Sequence, residues 1–166
     1  GRQHVKEVKE FEEEVIQLDR VTRVEIGGRR LRFRATVVVG NRKGKVGVGV
    51  AKGADVASAI QKAFNDAKKN MIDVEVVGST IAHDVSAKLG SAKVLLKPAS
   101  EGRGVIAGGA VRAVVDLVGI TDIVAKSLGS SNPLNVARVT LKALETLKPT
   151  GAATVTEAAP AEAEQK

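Results

Sequence analysis

The sequence predicts an α+β protein of two units, the first a three-stranded antiparallel sheet with one helix. Three observations point there. Residues 18–52 alternate apolar and polar positions with the period of strands, and residues 54–70 switch to the period of a helix. Around Ile72–Thr80 the composition changes, and a second series of strands and helices begins. The units are placed at residues 18–74 and 75–150, with a lead-in over 1–17 and a disordered tail over 151–166. The chain has 166 residues, and one of that length buries roughly 70% of its unfolded surface when folded.

The lead-in mixes lysines with Glu10-Phe11-Glu12-Glu13-Glu14, a solvated charge run expected to be frayed or weakly helical. Val21, Val24 and Ile26 then lead to Gly27-Gly28, a hairpin turn signal. In the next strand Leu31, Phe33, Ala35, Val37 and Val39 alternate with Arg30, Arg32, Arg34, Thr36 and Val38, which puts three arginines on one sheet face. After the turn Gly40–Gly44, a third strand alternates Val46, Val48 and Val50 with Gly47, Gly49 and Ala51. Repeated glycine on one face implies that another backbone approaches there. The helix should present Val56, Ile60, Ala63, Phe64, Ala67 and Met71 to the valine face, with Asp55 in its first turn and Lys68-Lys69 in its last.

The second unit opens with strands near Ile81–Leu89 and Lys93–Lys97, turned at Gly90-Ser91. A glycine-rich loop, Pro98–Gly109, precedes a short helix over 110–118 that is apolar almost all round, broken by the spaced pair Arg112 and Asp116. Such a helix belongs in the interior. A strand near Asp122–Ser127 follows, and then a helix to about Leu147 that starts with Asn132 as cap and Pro133 at its first position.

Composition narrows the function. Net charge is +7, and the aromatic residues are three phenylalanines. Cationic excess favours a polyanionic partner, while scarce aromatics argue against stacking on unpaired bases, so contacts should fall on phosphate and sugar. The charge is focused: residues 20–69 hold thirteen Lys or Arg against three Asp or Glu. There is no cysteine, so disulfides and thiolate metal sites are excluded. No apolar run approaches the ~20 residues of a membrane span, and a soluble, cytoplasmic protein without cofactor is expected.

Catalytic signals are weak. Gly40-Asn41-Arg42-Lys43-Gly44-Lys45 has its glycines one residue too close for a nucleotide phosphate loop, and Val46 stands where a magnesium-binding hydroxyl belongs. Gly102-Arg103-Gly104-Val105-Ile106-Ala107, with Asp122 some eighteen residues on, fits a dinucleotide pattern but lacks a second βαβ half. Of the two histidines, His4 falls in the lead-in, and His83-Asp84 has no further acid–base partner. The basic set is the stronger candidate: Arg20, Arg23, Arg29, Arg30, Arg32, Arg34, Arg42, Lys43, Lys45 and Lys52, with the turn glycines Gly27 and Gly28, and Lys62, Lys68 and Lys69 as secondary contacts. A solvated surface would mix its signs; this stretch hardly does.

The segments Gly28–Asn41, Gly44–Gly49, Pro98–Gly102, Gly104–Gly109, Ala125-Lys126 and Gly129–Pro133 resemble, in order, the family of the fifth small-subunit ribosomal protein. The resemblance spans residues 11–148. It implies an N-terminal domain like double-stranded-RNA-binding modules and a C-terminal two-layer α/β sandwich with a left-handed βαβ crossover. It implies small-subunit ribosomal RNA as ligand, the fourth and eighth small-subunit proteins as neighbours, a place near the messenger RNA entrance, and an influence on decoding accuracy. The family's RNA-reaching hairpin corresponds to Val21–Arg30, and where the family often carries lysine before the paired glycines this chain has Ile26. Two rival functions are a free-standing duplex-RNA-binding regulator and a small nucleotide-using enzyme built on Gly102–Ala107.

Overall fold

The computed structural model describes residues 11–147. The expectations for residues 1–10, His4 among them, and for the tail lie outside that range. Four strands and a helix come first: β1 (Glu12–Glu25), β2 (Gly28–Gly40), β3 (Lys45–Gly53), α1 (Val56–Lys69) and β4 (Ile72–Asp73). Then follow β5 (Val85–Leu89), β6 (Ala92–Pro98), β7 (Val105–Ile106), α2 (Gly109–Val118), β8 (Ile123–Gly129) and α3 (Pro133–Glu145). The first sheet is antiparallel in the order β1-β2-β3-β4, and the second is mixed in the order β5-β6-β8-β7. The α+β prediction holds, with a two-residue fourth strand added to the first sheet.

The acidic run is not a frayed or helical lead-in: Glu12–Glu14 pair with Val38–Gly40 of β2. The backbone of β1 completes the sheet while its glutamates stay exposed on an edge strand, where charge also discourages pairing with other chains. Between Val15 and Gln17 the register slips, and Ile16 packs into the larger core.

Each face of the first sheet is covered by a different layer. Ala35, Val37 and Val39 meet Ala59, Ala63 and Ala67 of α1 in one small core. The glycines Gly47, Gly49 and Gly53 of β3 lie against the same alanines, and a Cβ on any of them would come closer than 3.0 Å to helix backbone. The helix therefore packs on the glycine side of β3, not the valine side, because only glycine and alanine let the two backbones approach so closely. Val46 and Val48 turn the other way, with Val38, into a second core built from α2, α3 and the second sheet. That core is continuous across both halves of the chain, so α2 and α3 lie between two sheets.

Helix ends follow local chemistry. Asp55 caps α1 by accepting from the Ser58 N–H at 2.7 Å, one position earlier than the first turn. Asn132 caps α3 through the Leu134 N–H at 3.1 Å, with Pro133 at the start as expected. β7 and β8 run parallel with α2 between them, a βαβ unit.

Candidate nucleic-acid interface

β3 pairs with β2 only from Phe33 to Gly40, so from Val21 to Arg32 the β1–β2 hairpin is a two-stranded ribbon. Its turn, Ile26-Gly27, is possible because Gly27 adopts φ +94°, a conformation that strains other residues. Ile26 at the tip is fully exposed and Val24 nearly so. A ribbon of two strands is marginal in water by itself; here it grows out of a sheet that is packed on both faces.

Alternation along the ribbon sorts the predicted cations. Arg23 lies directly opposite Arg30, and Arg32 follows two positions on, so three guanidiniums share one face. Arg34 and Lys52, also paired in register, continue that face toward the helices. All but Arg34 are exposed. Arg34 is half-buried, and its Nε and the neighbouring Thr36 Oγ1 have no hydrogen-bond partner. Two carboxylates share this face: Glu25, 3.1 Å from Arg30 in a solvent-exposed pair, and Asp19, opposite Arg34 in register. Like charges placed opposite each other in a sheet are destabilising, and the local cost points to a ligand that supplies the missing anions.

The remaining cations lie elsewhere. Arg20 and Arg29 occupy the opposite face of the ribbon, where Arg20 stands 5.9 Å from the centre of the Phe33 ring. Lys62, Lys68 and Lys69 are exposed on α1, also behind the sheet, and Lys68 lies 5.4 Å from the rings of Phe11 and Phe64. Lys43 lies in the β2–β3 turn and Lys45 opens β3, and the side chain of Asn41 accepts both their N–H groups. That turn is docked rather than free. The N–H groups of Arg42 and Gly44 donate to the Leu117 and Val118 carbonyls at the end of α2. The Arg42 side chain pairs with Glu12 at 2.6 Å and donates to the Asp116 carbonyl at 3.4 Å, a cation closing a helix C-terminus.

The enzyme-like motifs resolve into structure. Asp122, placed by sequence where a dinucleotide fold would hold ribose, is 4% exposed and accepts the Gly104 N–H at 2.8 Å. That bond, then the Ser79 and Thr121 hydroxyls and the Gly102 N–H, hold its carboxyl below the ordinary value of 3.8 against the opposing effect of burial. Ionised Asp122 thus stabilises the fold above about pH 4, and the benefit disappears as pH falls through the lowered value. Asp122→Ala should lower the urea midpoint near neutral pH, with the gap to the unaltered protein closing in acid. Arg112 and Asp116 do not pair, the two ion pairs among the described residues being those of Arg30 and Arg42. His83 Nδ1 lies 2.8 Å from the Asp84 carbonyl.

A cleft of about 590 Å³ between β1 and the starts of α2 and α3 is lined by Glu14, Gly109, Ser127, Ser130 and Ser131 among others, with neither histidine nor cysteine. No group of three potential metal ligands occurs among the described residues, and no described helix is long and apolar enough to cross a membrane.

Comparison with known proteins gives a consistent result over both halves. A family model described as ribosomal protein S5, N-terminal domain, matches residues 11–75, and one described as ribosomal protein S5, C-terminal domain, matches residues 87–153. Relatives called small ribosomal subunit protein uS5 from Campylobacter jejuni strains 81-176, 81116 and RM1221 are each 59% identical over 140 residues, covering 84% of this chain and 95% of theirs.

Proposed function

This chain belongs to the ribosomal protein S5 family, and from that premise we propose that it is a structural, non-catalytic constituent of the small ribosomal subunit that holds ribosomal RNA by phosphate contact. The observation that carries this is the face of Arg23, Arg30, Arg32, Arg34 and Lys52, five cations against the two carboxylates Glu25 and Asp19, with Arg23 and Arg30 directly opposed across the ribbon. Arg20, Arg29, Lys43, Lys45, Lys68 and Lys69 flank it. Arginine suits the task because its planar fork matches phosphate oxygens in pairs. The glycine turn at Gly27-Gly28 keeps the tip narrow, so the ribbon reaches between RNA segments.

In this arrangement residues 18–74 form the RNA-binding part, and residues 75–150 supply contacts to neighbouring proteins, the fourth and eighth of the small subunit among them. The site lies near the messenger RNA entrance, and the protein acts in the cytoplasm as part of the ribosome. Its effect on accuracy comes from biasing one arrangement of RNA over another, which needs no bond to be made or broken. The charge distribution and the family membership support this together.

The discriminating experiment is sedimentation. The protein should stay with small subunits through a high-salt wash. A free-standing duplex-RNA regulator would be absent from the subunit fraction before any wash, and that result would defeat the proposal.

A further inference from the structure

We infer that the uncovered face of the second sheet is a separate platform for RNA phosphates. Strand alternation fixes which residues look outward. Ala92, Val94 and Leu96 of β6 and Ile123 of β8 are buried beneath the helices. The intervening positions therefore face away from the helical layer, and no element of the described chain covers them. They carry Lys88 on β5, Lys93 and Lys97 on β6, and Lys126 on β8, all exposed. Lys88 lies directly opposite Lys93, and Lys126 opposite Leu95, so the four cations form one compact group across three strands.

No carboxylate occurs within these strands; Asp84, Glu101 and the buried Asp122 all lie outside them. Lysine facing lysine across a ladder weakens the pairing, as the arginines do on the ribbon. The chemistry separates possible occupants. Lysine is depleted in the centres of protein–protein interfaces, so a face built on four of them fits a polyanion better than a protein. Between the lysines stand Leu95 and Leu128, aliphatic and not aromatic, so unpaired bases have no ring to stack on and the contact is to backbone phosphates. Lysine serves as a point charge for such groups.

This inference rests on the RNA-bound setting proposed above but on none of the ribbon's residues, so the two can fail separately. The test measures binding of the full chain to naked small-subunit ribosomal RNA over a salt series, for the unaltered protein, Lys93→Glu with Lys126→Glu, and Arg30→Glu with Arg32→Glu. The lysine variant should bind about tenfold more weakly at moderate salt, with a salt slope lower by about two. On the unaltered chain, bound RNA should suppress acetylation of Lys93, Lys97 and Lys126. Unchanged affinity and slope in the lysine variant, with the arginine variant weakened, would overturn this inference and leave the ribbon assignment standing. Suppression of acetylation by ribosomal proteins and not by RNA would overturn it too. Weakening in the lysine variant alone would uphold it and remove the ribbon from the interface.

Discussion

Arg30→Glu combined with Arg32→Glu should reduce affinity for small-subunit ribosomal RNA roughly a hundredfold, about 3 kcal/mol, because hydrogen bonds to charged groups contribute about 1.5–3 kcal/mol each. Both side chains are exposed on the same face of the ribbon. Removing one arginine–phosphate interaction should also lower the salt slope by about 0.9, so the double variant falls by about two. Stability should behave differently. Arg30 faces Arg23, and glutamate there turns that repulsive pair into an attractive one while turning the exposed attraction to Glu25 into a repulsion. The balance is expected within about 0.5 kcal/mol, the usual range for surface substitutions. Binding titrations over salt, beside urea unfolding of the same proteins, check both halves of the prediction. Unaltered RNA affinity would remove these arginines from the interface.

Gly49→Ala should be the most damaging small substitution in the first sheet. The added Cβ would collide with the backbone of Ala63 and Ala67, which cannot swing aside as a side chain does. Helix α1 must shift away from β3, opening its packing against Val37 and Val39. The expected loss is about 3 kcal/mol, the upper part of the range for overpacked cores. Gly28→Ala supplies the control. It lies beside Gly27, whose positive φ only glycine adopts without strain, but nothing stands within 4 Å of its missing Cβ and its own φ is not positive. Its urea midpoint should be nearly unchanged. Equal losses at the two positions would show that glycine flexibility, and not close backbone approach, governs the sheet.

Much of this fold is legible in the chain because its signals are local. Period-two alternation from Leu31 to Val39, the Gly27-Gly28 turn and the Asn132-Pro133 start are each read from neighbours in sequence, and each is found. The glycines of β3 announced a close backbone, and α1 is that backbone. What escaped depends on distant partners. Glu12–Glu14 become strand because Val38–Gly40 offer a free edge, which their own charge does not foretell. Composition shows that β3 has a valine face and a glycine face but not which layer covers each. Arg42 reads as one more cation in a basic stretch, yet its partners Glu12 and Asp116 lie 30 and 74 residues away. β4 and β7, two residues each, are too short to show any period. For the candidate interface, charge density marks the basic stretch in the sequence, and only strand register divides the Arg23–Arg30–Arg32 face from Arg20, Arg29 and the lysines of α1.

The valines Val38, Val46 and Val48 share one core with Val114, Leu117 and Leu144 from the far half of the chain. A joint glued in this way has no play: tilting one half against the other would tear oily surface open to water. The molecule thus behaves as a stiff strut. Through this packing the root of the ribbon, at Val38, holds a fixed bearing relative to α2, α3 and the second sheet.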